Sequence, residues 1–493
     1  MNIYSWLAVH ATSRPQKTCI RTRDTEMTFS ELYTLTCALG ASLKKSGIRK
    51  GDHVTMVLPN IPEFIVVYMA VVGLGAVVIP VNPAFTSREL KYILSDSNSR
   101  AIILEHANLG TYTAIQQECS QDIVITTGQG GNFSEYVRDR GAPILEDMDP
   151  HDVAAMIYSS GLTGEPMGAM LTQANLDHNS DLMRVCMGAD DTDTTLTLIP
   201  CFHSFSASVN MLSMLRYGGS IYLMKKLDFK EMHHALTSVG ITAICAVPTL
   251  FFGLVSHPDL QGIDYSGVRT LIAGGSALSL DIYESFRERF QRNIRQGYGI
   301  TEASPVCSCN YRPFPIKPDS IGMTVPGVQA KVVDDQGAEL KPGDHGEILF
   351  KGPNIMKGYY RREKETNEVI SDGWLSTGDL GFMDEDGYIY ITGYKKDMVI
   401  TSGFNVYCRE VQNVLNSLPG VRDSAITGEP DLMRGAIIKA FIVCDDPSVS
   451  ESAIKHAARK LLASYKTPRK VIFVREIPRD EQGKVLFDHM EPL

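Results

Sequence analysis

The sequence predicts an α/β protein, with a large N-terminal domain of sandwiched sheets and helices and a small α+β C-terminal domain. Along the N-terminal part, apolar stretches of strand length alternate with segments of helical spacing. Strand, helix and strand in turn imply parallel sheets that are covered on both faces. The chain has 493 residues, which is more than one hydrophobic core usually fills, so we expect several packed units.

The first long helix of this alternation is predicted over residues 29–45, where apolar side chains recur at helical spacing. Thr28 or Ser30 caps its start, and Gly47 closes it. The same patterns predict further elements: helices at 61–74 and 87–94, and strands at 53–58, 76–81, 101–104, 123–126, 153–157, 244–250 and 270–273.

The C-terminal domain is predicted to begin at Gly393, which divides the chain into residues 1–392 and 393–493. Ser448 and Glu451 stand at capping-box spacing before the last predicted helix. About a hundred residues suffice for a small α+β domain. The elements expected in it are two strands within 398–406, an amphipathic helix at 409–418, a strand near 436–443 and a helix around 453–463.

The most apolar stretch, residues 64–81, contains Gly73 and Gly75 and has Pro80 near its end. This composition favours a buried helix that runs into a strand over a membrane span. The N-terminus lacks the pattern of a secretory signal, and the ten cysteines are scattered, with no paired C-x-x-C framework. We therefore expect a cytoplasmic protein with reduced thiols and no transmembrane segment.

The formal net charge of −10 bears on the class of partner. Binding to a nucleic acid backbone needs clustered Lys and Arg, and no such cluster dominates the sequence. We therefore expect no nucleic acid partner.

A glycine-rich stretch, YSSGLTGEPMGA at residues 158–169, follows the apolar run at 153–157. This composition is typical of a loop that follows a strand and binds phosphate. Glycines let backbone N–H groups approach an anion, and hydroxyl groups add hydrogen-bond donors. The glycine spacing differs from that of P-loop NTPases and from the Rossmann dinucleotide fingerprint. Alone, such a stretch is just as often a plain surface turn, so the downstream motifs decide its meaning.

Those motifs occur in order along the chain: PCFHSF at 200–205, GGSA at 274–277, QGYGITE at 296–302, WLSTGDLG at 374–381, YKKD with SGFNVY within 394–407, and QGKV at 482–485. With the glycine-rich stretch, they resemble the motifs of the adenylate-forming enzymes. That family includes acyl- and aryl-CoA synthetases, luciferases and the adenylation domains of peptide synthetases. The resemblance covers nearly the whole chain.

The resemblance implies that ATP and Mg²⁺ bind where these motifs converge. Tyr298 would stack on adenine, Asp379 would hold both ribose hydroxyls, and Glu302 would bind the metal. The other residues that the resemblance places along the nucleotide, at the hinge or near the acyl and pantetheine groups are Ser159, Ser160, Gly161, Thr163, Gly164, Gly274, Gly275, Ser276, Gly299, Thr301, Tyr394, Lys396 and Gly403.

Four residues are expected to act in the chemistry: Lys484, Thr301, Glu302 and His203. By resemblance, the Thr301 hydroxyl contacts the α-phosphate and His203 borders the carboxylate pocket. Lys484 would be brought in by a mobile C-terminal domain that turns about Lys396. Its cation would stabilise the charge that develops where a carboxylate meets the α-phosphate.

Four positions depart from the family's motifs: Leu162 replaces Thr or Ser, Met167 replaces Lys, Tyr394 replaces Arg, and Cys408 replaces a common proline. The first three changes remove hydroxyl or charged groups that would contact the nucleotide. Since the residues expected to act in the transition state are all retained, we interpret these changes as weaker ATP binding in an active enzyme.

The motifs look most like those of bacterial fatty-acyl-CoA ligases. We therefore predict an ATP-dependent carboxylic acid:CoA ligase that forms acyl-AMP and then acyl-CoA, acting on medium- or long-chain fatty acids. The expected partners are the small-molecule acid and coenzyme A, and the sequence is compatible with weak membrane-surface contact and with a monomer or homodimer. The expected wall of the acyl pocket is mostly small and apolar: Phe205, Ala246, Val247, Gly275 and Cys307.

Two alternatives stay open. A ligase for an acyl carrier protein would share the adenylation residues and predicts a basic docking face on the C-terminal domain, for which the candidates are Lys455, Arg459, Lys460, Lys466, Arg469 and Lys470. A non-catalytic protein that binds a nucleotide or acyl-AMP would explain Met167 and Tyr394 as decay.

Overall fold

The computed structural model describes residues 2–139, 141–160, 166–394, 398–444, 449–479 and 485–493. Its α-helices in chain order are α1 Ser5–Ser13, α2 Phe29–Lys45, α3 Pro62–Gly73, α4 Ser87–Ser97, α5 Leu109–Thr113, α6 Phe133–Tyr136, α7 Gln173–Met187, α8 Ser213–Tyr217, α9 Phe229–His234, α10 Pro248–Ser256, α11 Leu280–Phe290, α12 Glu363–Val369, α13 Cys408–Asn416 and α14 Glu451–Leu461.

The strands, in the same order, are β1 Thr18–Arg21, β2 Glu26–Thr28, β3 His53–Val57, β4 Val77–Pro80, β5 Ala101–Glu105, β6 Ile123–Thr127, β7 Val153–Ser160, β8 Pro166–Thr172, β9 Thr194–Thr197, β10 Ser220–Leu223, β11 Ala243–Ala246, β12 Thr270–Ala273, β13 Arg295–Gly299, β14 Val306–Cys309, β15 Met323–Thr324, β16 Gln329–Val333, β17 Gly346–Lys351, β18 Gly358–Tyr359, β19 Ile370–Ser371, β20 Trp374–Met383, β21 Ile389–Tyr394, β22 Met398–Thr401, β23 Phe404–Tyr407, β24 Val421–Asp431, β25 Gly435–Cys444 and β26 Lys470–Phe473.

Two large sheets make up most of the N-terminal part. Among the described residues, the first sheet has nine strands in the order β15-β14-β13-β12-β11-β9-β10-β1-β2, and the six from β13 to β1 run parallel. The second has seven strands in the order β18-β8-β7-β4-β3-β5-β6, and those from β7 to β6 run parallel. The prediction of parallel sheets is confirmed, with antiparallel strands added towards the edges.

A third sheet of the N-terminal part joins β16, β17, β19, β20 and β21, while the C-terminal residues form the smaller sheets β22-β23 and β24-β25-β26. These C-terminal strands and helices α13 and α14 surround an apolar cluster of their own. The fold class is therefore the predicted one, an α/β N-terminal domain followed by a small α+β domain.

Helix α3 lies in the interior of the N-terminal part. Every residue from Phe64 to Gly73 is buried, and the chain continues directly into β4, which is also buried. The prediction of a buried helix that runs into a strand is confirmed. In the described part of the chain, no helix combines the length and the apolar character that crossing a membrane requires.

Helix α2 begins with a capping box. The Thr28 hydroxyl accepts a hydrogen bond from the Glu31 N–H at 3.2 Å, and the Glu31 carboxylate accepts one from the Thr28 N–H at 2.7 Å. Of the two predicted caps, Thr28 is therefore the correct one. These bonds satisfy N–H groups that the first turn of a helix otherwise leaves unpaired.

Two predicted boundaries are wrong. The strand expected at 244–250 ends at Ala246, and Pro248 opens α10 instead, because proline lacks an N–H group and its fixed φ suits the first turn of a helix. Ser450, rather than Ser448, caps α14 by accepting a hydrogen bond from Ala453 N–H at 3.2 Å. Ser448 lies outside the described residues.

The capping box of α2 yields a stability prediction. We expect Thr28→Ala to lower the free energy of unfolding by about 1 kcal/mol, because the helix loses its side-chain cap. Urea unfolding of the two proteins measures this difference. Ser30→Ala is the matched control, since Ser30 lies in the first turn without capping the helix; an equal loss in both variants would contradict the assignment.

Candidate active site

A cavity of about 250 Å³ lies between the N-terminal sheets and the C-terminal domain. Strands β12 and β13 end at it, which is where open parallel sheets usually bind ligands. The predicted site residues that line this cavity are Ser159, His203, Gly275, Ser276, Tyr298, Gly299, Thr301, Glu302 and Asp379. The structure thus brings together residues that are widely separated in the sequence.

Glu302 lies in a short 3₁₀ turn, Thr301–Ala303, directly after β13. Its Oε1 accepts a hydrogen bond from Ser159 Oγ at 2.7 Å and another from the Tyr359 hydroxyl at 2.8 Å. Burial and the charge of Glu302 raise the pKa of the Tyr359 phenol, so this hydroxyl remains a donor. Oε2 accepts no hydrogen bond from the described residues. A carboxylate held in this way offers a hard oxygen that fits Mg²⁺.

Tyr298 and Asp379 form the second polar contact of the cavity. The Tyr298 hydroxyl donates a hydrogen bond to Asp379 Oδ2, and the Tyr298 ring stacks on Phe350 with 5.8 Å between centroids. Burial, and next the charge of Asp379, raise the pKa of Tyr298 well above its usual value, so this phenol stays protonated. The cavity wall therefore offers a fixed aromatic ring beside a carboxylate, an arrangement that suits a nucleoside.

His203 reaches the same cavity as a neutral group. Its Nδ1 accepts a hydrogen bond from the Phe205 N–H at 3.2 Å, so the neutral ring carries its proton on Nε2. Burial lowers the pKa of His203 to about 4. At neutral pH, His203 can donate a hydrogen bond to an anionic group but carries no charge of its own.

A smaller cavity of about 90 Å³ adjoins the first and shares His203, Gly275 and Thr301 with it. Gly274 and Gly403, two more of the predicted residues, line this second cavity. Among the described residues, no charged side chain lines it. Its apolar wall includes Leu182, Met183, Cys186, Met187, Phe205, Val209, Ile272, Ile300, Pro305, Val306, Cys309 and Val325.

Of the residues predicted to form the wall of the acyl pocket, Phe205 and Gly275 line the smaller cavity, whereas Ala246, Val247 and Cys307 line neither cavity. Cys307 is fully buried, and its sulfur contacts the Asn354 amide at 3.8 Å instead of facing the cavity. Cys309, two residues further along β14, takes its place.

The loop between β22 and β23 and the start of β23 contribute to the walls of both cavities. Gly403 has φ +83°, and a Cβ there would lie 2.4 Å from Val247 Cγ1, so only glycine fits this contact. The neighbouring Phe404 ring stacks on Tyr465, with 4.5 Å between centroids. The Phe404 ring also meets the His203 ring edge-on, with 6.3 Å between the ring centroids. The C-terminal domain thereby contributes backbone and aromatic rings to the cavity walls.

Several predicted residues lie outside the described part of the chain: Gly161, Leu162, Thr163, Gly164, Lys396 and Lys484. Of the glycine-rich stretch, β7 ends at Ser160 and β8 begins at Pro166. Tyr394 ends β21, where its backbone pairs with Asp379. Met167 pairs with Ser159 across β7 and β8, and its side chain is buried.

Sequence reasoning missed Tyr359. Its hydroxyl donates a hydrogen bond to Glu302 from β18, a two-residue strand that shows no motif or spacing.

Cys408, predicted as a departure from proline, is the first residue of α13 and is buried. The first turn of a helix is a position that proline also tolerates.

Of the six candidates for a basic docking face, Lys466 does not lie on the surface. Lys466 is buried between Glu89 and Glu410. Lys455 pairs with Glu451 at 2.6 Å and Lys470 with Glu429 at 2.9 Å. These three ammonium groups are already matched with carboxylates, which sequence clustering alone does not reveal.

The sequence was compared with protein families and with individual proteins. The sequence profile of the AMP-binding enzyme family matches residues 7–360, and that of the AMP-binding enzyme C-terminal domain matches residues 410–484. A long-chain-fatty-acid–CoA ligase of Bacillus subtilis is 32% identical and aligns with 98% of this chain and 93% of its own length. A feruloyl-CoA synthase of Amycolatopsis is also 32% identical, and the alignment covers 98% of this chain and 97% of the synthase.

The fold also matches solved structures. An o-succinylbenzoate CoA synthetase from Bacillus subtilis, bound to its product analogue, superposes with a TM-score of 0.90 at 27% sequence identity. The match covers 99% of this chain and 99% of that one.

The lowered pKa of His203 predicts a pH effect on stability. At pH values between about 4, the pKa of His203 in the folded chain, and 6.5, the ordinary pKa of histidine, the unfolded chain binds a proton that the folded chain does not. The free energy of unfolding therefore falls as the pH falls through this window. We expect a smaller fall of the thermal midpoint across this window in His203→Asn than in the wild type. His233→Asn, at an exposed position of α9, should keep the wild-type slope; an unchanged slope in His203→Asn would refute the assignment.

The geometry and the comparisons agree. The carboxylates of Glu302 and Asp379, the Tyr298 ring and the neutral His203 meet at one cavity beside an apolar one, and the family profile covers well over half of the chain. The chain belongs to the AMP-binding, or adenylate-forming, enzyme family.

Proposed function

We propose that this chain is an ATP-dependent carboxylic acid:CoA ligase that acts on medium- or long-chain fatty acids. The observation that carries the proposal is the junction of two cavities. One holds a nucleoside-sized set of polar groups, and the other is apolar and, within the described residues, lined by no charge. His203, Gly275 and Thr301 belong to both cavities, so an acid that enters the apolar one presents its carboxylate to the nucleotide.

In the first half-reaction, a carboxylate oxygen attacks the α-phosphorus of ATP and pyrophosphate leaves, giving acyl-AMP. Tyr298 would stack on the adenine, Asp379 would accept from the ribose hydroxyls, and Thr301 would contact the α-phosphate. Mg²⁺, held by Glu302, neutralises phosphate charge when bound. On the sequence alone, Lys484 is the cation that approaches this transition state.

In the second half-reaction, the CoA thiol attacks the acyl carbonyl, its proton is released to solvent, and AMP leaves. The observed position of Gly403 and Phe404 on the cavity walls supports this step, because the loop that would border the pantetheine channel lies beside both cavities. We assign residues 393–493 as the moving domain and Lys396 as its hinge. One cleft then serves both reactions.

The acyl group is proposed from the wall of the smaller cavity. Side chains of Leu, Ile, Val, Met and Phe favour an aliphatic tail and offer no partner for a second carboxylate. The burial of Lys466 removes one cation from the possible docking face, which favours free CoA over a carrier protein as acceptor.

Pyrophosphate release from ATP and Mg²⁺ tests the proposal, measured against a panel of saturated fatty acids with and without CoA. We expect release that depends on the acid and becomes catalytic only with CoA. Asp379→Asn should raise the KM for ATP by about ten-fold, because an amide cannot accept from both ribose hydroxyls as a carboxylate does. Asp386→Asn is the matched control, an exposed acid that pairs with Lys317 outside the cavity.

ATP binding with no pyrophosphate release for any acid would overturn the ligase and favour the nucleotide-binding protein. Turnover with a pantetheinylated carrier protein but not with CoA would overturn the choice of acceptor alone.

A further inference from the structure

A buried ion-pair cluster joins the two domains beside the active-site cavity. The Lys466 ammonium lies 3.0 Å from Glu89 Oε1 and 2.7 Å from Glu410 Oε1. All three side chains are nearly inaccessible, at 4%, 8% and 10% exposure for Lys466, Glu89 and Glu410. The Phe85 ring covers the ammonium at 4.9 Å. We call these three charged residues the interdomain triad.

Each carboxylate of the interdomain triad is fixed to a different domain. Glu89 lies on α4, whose Leu90, Ile93 and Leu94 are buried in the N-terminal domain. Glu410 lies on α13, which is buried in the apolar cluster of the C-terminal domain. The triad can therefore form only when the two domains have this relative position.

Moving the domains apart would break the triad. Lys466 would keep Glu410, its partner on the same domain, while Glu89 would lose its cation. Water would then hydrate both separated charges and offset much of the lost attraction, so the triad acts mainly by setting how the domains fit together. If α4 and α13 closed in another register, one of these charges would be buried without a partner, which is costly. The triad thus favours the observed arrangement over other closed arrangements of the two domains.

The observed arrangement also places the β22–β23 loop against the N-terminal domain. Tyr465, next to Lys466 in the sequence, stacks on Phe404 with 4.5 Å between centroids, and Gly403 contacts Val247 of the N-terminal domain. Lys466 and Tyr465 both line the larger cavity. One short segment therefore carries both the charge contact to α4 and the ring contact to the loop.

We propose that Lys466 is a positioning residue that holds the C-terminal domain in the arrangement used for thioester formation. This inference rests on the proposed ligase function. Lys466 acts through Glu89 and the Gly403 loop and needs no contact with the acyl group. The first half-reaction, for which the domain must turn, does not depend on the triad.

The test measures the two half-reactions separately in Lys466→Met. Adenylation is followed as pyrophosphate release in a single turnover without CoA, and thioester formation as the reaction of preformed acyl-AMP with CoA. We expect thioester formation to slow by about ten-fold or more, because the arrangement that it requires loses its buried ion pairs. Adenylation should stay within about two-fold of the wild type.

Three further variants separate positioning from general stability. Lys466→Arg keeps the cation and should restore most of the thioester rate. Glu89→Gln should reproduce the defect from the other domain. Lys470→Met is the matched control, because Lys470 pairs with Glu429 at an exposed site of the same domain, and it should leave both rates unchanged.

Parallel loss of both half-reactions in Lys466→Met, or no loss of either, would overturn the positioning role. Failure of Lys466→Arg to restore the rate would overturn it as well. A wild-type protein that forms no acyl-AMP would instead reject the proposed ligase function, so the two failures are distinguishable.

Discussion

Hydrogen bonds from hydroxyl groups to two carboxylates join three sheets at one cleft, and the candidate active site depends on them. Glu302 follows β13 of the nine-stranded sheet and accepts from Ser159 and Tyr359 of the seven-stranded sheet. Tyr298, also on β13, donates to Asp379 on β20 of the third sheet. Acids held by groups on rigid strands need little reorganisation when a ligand arrives, which is the condition for electrostatic catalysis.

Most of the cavity could be predicted from the sequence, because many of its residues lie in short motifs that resemble those of the adenylate-forming enzymes. Gly275, Tyr298 and Glu302 stand at the ends of strands that apolar runs and glycines also indicate. Tyr359 could not be found in this way. Its role arises from the pairing of β18 with β8, which brings together residues almost two hundred positions apart.

Elements that contain residues favouring a different local structure were harder to predict. Strand β24 contains Gly428 and Pro430, which favour a turn, yet it forms a long antiparallel pair with β25. Lys466 was one candidate for a basic docking face, because its neighbours in the sequence are basic. Its partner Glu89 lies 377 positions earlier, so only the folded chain shows that the charge is internal.

The wall of the smaller cavity has a consequence for selectivity. Met183 and Met187 contribute unbranched thioether side chains to it, and Cys186 and Cys309 contribute thiols. Methionine changes rotamer easily and fills irregular space, so such a lining would adapt to the outline of the apolar tail that we propose as its ligand. Oxidation of either methionine to a sulfoxide would place a polar oxygen in this lining, and selectivity for the proposed tail would then depend on the redox history of the protein.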